Sequence, residues 1–188
     1  MHPEILSIAL FWFVTAYTPG PNNVVASYSG FNFGITKTIP HILGVTLGFT
    51  SLVIFLSIGL INIFKLFPII QIIIKYLGTI FLIYLAYKIA SATASDDPKK
   101  ENPVRFIETF LFQYLNPKGV MVAIIVVSTY VELGENYVNY ATQVVLLAFL
   151  FSSTSITLWT FIGKFLRKFA TNDNFIKYFN YAMSGLLL

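Results

Sequence analysis

Two polar, proline-bearing interruptions sit inside apolar stretches long enough to cross a bilayer: Thr18-Pro19-Gly20-Pro21-Asn22-Asn23 in the first and Asn116-Pro117-Lys118-Gly119 in the fourth. A helix in lipid must satisfy its backbone hydrogen bonds internally. Unwound backbone at membrane depth therefore survives only where protein or a water-filled cavity supplies partners. Breaks at corresponding places in the two halves of a chain mark the place where a transported solute binds.

The composition agrees with a bilayer protein: hydrophobic residues make up 56% of the 188 and charged residues 11%, more apolar than a soluble domain requires. The net charge of +4 comes from Lys and Arg placed mostly between apolar runs, which reads as orientation and gives no nucleic-acid patch. There is no cysteine, and His2 and His41 are the only histidines. Disulfides, thiolate chemistry and a histidine metal cluster are therefore excluded, and no metal or other cofactor is expected. The first apolar stretch lacks a basic leader and a small-residue cleavage site, so it reads as a retained span.

Runs of roughly 20 apolar residues place spans at Glu4–Ser29, Thr36–Phe64, Phe67–Ser91, Val104–Tyr130, Tyr137–Phe165 and Asp173–Leu188. The last is short for a hydrocarbon core of about 30 Å. One charged, proline-bearing linker, 94–103, separates pseudo-repeats 1–93 and 104–188 of a single transmembrane domain, 1–188. Three spans per half make the second half enter from the opposite side. The expected fold is thus an all-α membrane protein of six transmembrane helices, arranged as two inverted three-helix repeats with helices 1 and 4 broken at the proline motifs.

The loops after spans one, three and five carry Lys37, Lys88, Lys99, Lys100, Arg105, Lys164, Arg167, Lys168 and Lys177, against Lys65 and Lys75 on the other side. By the positive-inside rule those loops are cytoplasmic and both termini face outward. Gly44 and Gly48 have the spacing of a close helix contact, and Gly30 and Gly34 that of a tight turn. Aromatic residues such as Tyr28, Tyr130 and Trp159 fall where interfacial belts are expected.

At each break a half-helix restarts. Pro21 and Pro117 suit the first helical position, and Asn116 is a favourable N-cap. The restarting ends offer free N–H groups and a positive dipole end to an anion, and Lys118 adds a full charge that needs a partner in lipid. The ends before the breaks, near Tyr17 and Tyr114, leave carbonyls that suit an ammonium group. A zwitterion fits between them. Asn22, Asn23, Asn116 and Gln113 supply amides to such a cavity, with Tyr17 and Tyr114 beside them. His41 and Glu108 are the candidates for proton coupling; Glu108 has an equally good local partner in Arg105.

Three bland or rival readings stand beside this one. The prolines alone would kink helices without any ligand. An intramembrane or lipid-modifying enzyme would use the ionisable groups in the spans, but no nucleophile-base pair or metal motif supports it, so no enzymatic activity is expected. A channel or a non-transporting membrane subunit is the third.

The proline-glycine-proline-asparagine motif at 19–22, the glycines 30, 34, 44 and 48, Lys75-Tyr76-Leu77-Gly78 ahead of Tyr84-Leu85-Ala86-Tyr87-Lys88, and Asn116-Pro117-Lys118 together resemble the LysE/RhtB family of amino-acid exporters. The resemblance implies a bacterial inner-membrane protein of six spans that moves amino acids or their derivatives out of the cytoplasm, driven by the proton gradient. It is nearest to the branch containing cysteine and O-acetylserine exporters, which implies a neutral substrate. Carried onto matching positions, it gives Pro19, Gly20, Pro21, Asn22 and Asn23 as one wall of the site and Asn116, Pro117 and Lys118 as the other. Many relatives carry an acid where this chain has Phe49. The expected partners are a small amino-acid substrate, the lipid bilayer and, in a homodimer, a second copy.

Overall fold

The structure is a computed structural model that describes residues 1–60, 66–91, 104–132, 134–170 and 173–187. The expected linker at 94–103, together with Lys65, Lys99, Lys100 and Leu188, lies outside the described residues.

Seven α-helices make up the described part, and no strand occurs among the described residues. They are α1 (Ile5–Tyr17), α2 (Pro21–Phe55), α3 (Ile69–Ser91), α4 (Phe106–Leu115), α5 (Pro117–Tyr130), α6 (Tyr137–Arg167) and α7 (Asp173–Gly185). A π-helical stretch, Leu56–Leu60, extends α2. Prolines set two of the starts. Pro21 and Pro117 occupy the first turns of α2 and α5, where their missing N–H is of no consequence.

Within α2 the helical path is interrupted at Gly34, whose φ of 78° is a conformation that side chains disfavour and glycine adopts freely. The turn expected from Gly30 and Gly34 therefore rests on Gly34 alone. Gly30 has another role: a Cβ there would run into the backbone carbonyl of Thr160 on α6. Gly163 on α6 meets the Ser27 carbonyl in the same way, so α2 and α6 cross backbone to backbone. Gly44 and Gly48 follow the close-packing reading, since a Cβ at either would lie 2.7 Å from the carbonyl of Phe106 or Phe110 on α4.

Three helical stretches are long and apolar enough to cross a membrane, namely Pro21–Gly59, Ile72–Ser91 and Tyr137–Arg167. The pair α4 and α5, bent by 60° at Asn116, makes a fourth if it counts as one span. Against the six spans expected, α1 and α7 have 13 residues each, or about 20 Å at 1.5 Å per residue. The physical reason for the first is the break itself, which ends α1 at Tyr17.

The outward faces are those of an integral membrane protein. On α3, Ile69, Ile72, Ile73, Tyr76, Ile80, Ile83, Tyr84 and Tyr87 are all exposed, an apolar surface that only lipid or another protein would cover. On α1, Leu6, Leu10, Phe13 and Val14 face outward while Ile8 and Trp12 are buried. The main core gathers these two with Leu52, Val53, Val120, Ala123, Val126, Val144 and Ala148, which joins α1, α2, α5 and α6 around the breaks.

Candidate functional site

The two breaks face one another across a cavity of about 560 Å³, its open mouth included. Gly20, Pro21, Asn22 and Asn23 line it from the start of α2, and Asn116, Lys118 and Gly119 from the start of α5. Trp12, Thr15 and Ala16 close it from α1, Val45 and Phe49 from α2, Val122 from α5, and Ser152, Ser155 and Ile156 from α6.

Lys118 is the link between the breaks. Its half-buried ammonium donates to the carbonyls of Thr18 (3.0 Å) and Pro19 (3.3 Å). The Gly20 position makes room for it, because a Cβ there would lie 3.0 Å from both Cδ and Nζ of Lys118. Asn23 fastens the same segment, donating from Nδ2 to the carbonyls of Ala16 (2.7 Å) and Thr18 (3.0 Å). Ser155 Oγ adds a second hydrogen bond to Ala16 O at 2.7 Å, and Trp159 Nε1 donates to Tyr17 O at 3.3 Å.

This corrects one expectation. The carbonyls at the end of α1 are not free, because α1 stops in the middle of a bundle and neighbours supply the donors that water would supply elsewhere. Trp159, read from sequence as an interfacial belt residue, is one of those neighbours.

The remaining expected residues fall into two groups. Asn22 and Gln113 form a reciprocal amide pair, Asn22 Nδ2 to Gln113 Oε1 at 2.7 Å and Gln113 Nε2 to Asn22 Oδ1 at 3.1 Å. Gln113 is fully buried behind the cavity wall. The others do not line the cavity. Tyr17 donates its hydroxyl to Thr154 Oγ1 at 2.9 Å, the Tyr114 hydroxyl is 2.8 Å from Ser51 Oγ, and Pro19 and Pro117 shape backbone.

His41 is buried behind the amide pair, with Nδ1 at 3.2 Å from Thr109 Oγ1 and Nε2 at 3.3 Å from the Asn22 carbonyl. Glu108 is exposed, and its carboxylate accepts from the backbone N–H of Arg105 at 3.2 Å. The local partner expected for it is thus the Arg105 backbone at the start of α4, where an acid is favoured by the helix dipole.

Asn116 takes the N-cap place of α5, yet its side chain makes no capping hydrogen bond. Its Oδ1 is buried without a partner, as is Trp12 Nε1. Sequence reasoning missed the α6 wall, for which Ser152-Ser153-Thr154-Ser155 inside an apolar span is the available signal. It also missed Trp12, which nothing distinguishes from the aromatic residues around it.

No group of three or more metal-ligating side chains occurs among the described residues. What the site offers is two helix starts, one ammonium, amides and hydroxyls, surrounded by apolar walls. That is equipment that suits a small polar solute inside a membrane protein, as a translocator requires.

The comparisons with known proteins give the family. The profile described as LysE type translocator matches residues 13–188, and the chain belongs to that family. It is similar to the cysteine/O-acetylserine efflux protein of Salmonella choleraesuis (strain SC-B67), with 28% identity over 171 residues, covering 89% of this chain and 87% of that protein. The protein of the same description from Escherichia coli (strain K12) is 26% identical over 172 residues, with the same coverage. No solved structure matches.

Proposed function

We propose that this protein exports a small neutral amino acid or a close derivative from the cytoplasm, and that the cavity between the breaks is its binding site. The observation that carries the reading is the meeting of two half-helix starts, α2 and α5, with Lys118 in one cavity. Helix starts and an ammonium favour a carboxylate. Carbonyls at the end of α1 favour an ammonium, and the Lys118 ammonium donates to two of them. An arriving amino acid places its own ammonium on Thr18 and Pro19, and Lys118 turns to the carboxylate. The names of the relatives, which describe efflux of cysteine and O-acetylserine, support the substrate class.

The architecture that goes with this reading is six spans in two inverted repeats, in a bacterial inner membrane, with both termini outside and the halves rocking in alternating access. Lys37, Lys88, Lys164, Arg167 and Lys168 at the cytoplasmic side support the orientation. Export is coupled to protons through His41 or Glu108. A proton that reaches His41 makes both ring nitrogens donors, which suits the Asn22 carbonyl and the Thr109 hydroxyl.

The test is flux in liposomes containing the purified protein, loaded with single amino acids, with and without a pH gradient. Saturable, stereoselective counterflow that the gradient accelerates is expected. Unsaturable leak would make the protein a channel. Turnover of a lipid or peptide without solute flux would make it an enzyme.

A further inference from the structure

The cavity has two ends with different chemistry. At one end every polar group has a partner: Lys118 with Thr18 and Pro19, Asn23 with Ala16 and Thr18, Ser155 with Ala16. At the other end, Trp12, Phe49, Asn116 and Gly119 come together. The indole of Trp12 meets Phe49 edge to face at 5.5 Å. A Cβ at Gly119 would lie 3.4 Å from the Asn116 amide and 3.6 Å from the Phe49 ring. Two buried polar atoms of these residues lack partners, the donor Trp12 Nε1 and the acceptor Asn116 Oδ1, on side chains 1% and 3% exposed.

A buried polar atom without a hydrogen bond costs about 1–3 kcal/mol, and native interiors contain few of them. Here a donor and an acceptor are left open in one corner of a cavity whose other end is fully bonded. Asn116 need not be there to cap α5, since its side chain makes no capping bond. Trp12 fills its place in the core with its rings, and its Nε1–H makes no bond there.

Resting on the export reading, we infer that Trp12 and Asn116 read the side chain of the transported amino acid, selecting a small one whose end group both accepts and donates a hydrogen bond. A hydroxyl accepts from Trp12 Nε1 and donates to Asn116 Oδ1, and a thiol does the same more weakly. A methyl group in that place leaves both atoms open. Phe49 sets the size, because its ring lies against Trp12 and the Gly119 position. The main-chain ammonium and carboxylate of the ligand remain at the Lys118 end.

Serine and 2-aminobutyrate differ by a hydroxyl for a methyl and test this directly. In liposomes, wild-type protein is expected to exchange serine over 2-aminobutyrate by about tenfold or more, the discrimination typical of a site built to bond a substrate hydroxyl being at least that large. Trp12→Phe, which removes the indole N–H, and Asn116→Leu, which keeps the size of the side chain and removes the amide, should each lower that ratio severalfold. A wild-type melting profile in detergent reports that the variants are folded. The double variant should bring the ratio close to one. An unchanged ratio in both single variants, or no preference in wild type, overturns the inference and leaves amino-acid export standing. Equal loss of both fluxes in variants that keep the wild-type melting profile also overturns it, since it makes the two residues structural. Absence of flux for every neutral amino acid in wild type removes the export reading and this inference with it.

Discussion

At the first break Asn23, Ser155, Trp159 and Lys118 between them hold the four carbonyls from Ala16 to Pro19, whereas at the second the Asn116 amide oxygen is buried with nothing to bind. The two segments look alike as sequence, each a proline-bearing interruption with asparagine. They differ because α6 lies along the first and supplies hydroxyl and indole donors, while the second meets the smooth backbone of α3 at Gly78, where a Cβ would strike the Leu115 carbonyl. The first break is a frame. The second brings the groups that are free to change partners, Lys118 by rotating away and Asn116 by gaining a ligand.

The sharpest way to break this contrast is at the one charge that joins the two sides. Lys118→Ala should lower flux and binding about 10- to 100-fold, the range that hydrogen bonds to a charged group are worth. Purified variant that binds substrate as tightly as wild type would remove Lys118 from the site. Next in size is a stability comparison. Asn23→Ala removes one of two donors from each of the Ala16 and Thr18 carbonyls and should cost about 1–2 kcal/mol, while Asn116→Ala removes an atom that bonds nothing and should cost less than about 0.5 kcal/mol. Thermal unfolding in detergent measures both, and equal losses would mean that the breaks are alike.

A smaller effect separates two glycines. Gly20→Ala pushes a methyl onto the Lys118 chain, so flux should fall about threefold to tenfold, as an overpacking cost of about 1 kcal/mol implies. Gly119→Ala meets only an ordinary contact with Asn116 and gains about 0.5–1 kcal/mol of helix preference, so melting should rise slightly. The smallest signal is the coupling between Asn22 and Gln113, expected at about 0.6 kcal/mol in a double-mutant cycle of alanine variants, the average for such pairs in membrane proteins. A coupling of zero would mean that the amide pair does not tie the start of α2 to α4.

How far the sequence was legible follows from where each signal is stored. Proline and glycine act on their own backbone, so the restarts at Pro21 and Pro117 and the turn at Gly34 were readable residue by residue. Small-xxx-small spacing is likewise a local pattern, which is why the packing role of Gly44 and Gly48 could be read. Gly30 has the same spacing to Gly34, and only the crossing of α6 gives it a different role. Partners are another matter. Nothing near Asn116 in the chain says that its amide bonds no one, and nothing near Tyr17 says that Trp159 will reach its carbonyl. Asn22 was readable as a polar residue at a break, but not as one half of an amide pair with a glutamine 91 positions away.

Gly30 and Gly163 put bare main chain against main chain where α2 crosses α6. A seam of that kind contains no side chains whose rotamers can be reset, so it cannot creep by small steps; it holds or it parts entirely. Any rocking of one half against the other must then pivot on this seam, with the pocket opening around it.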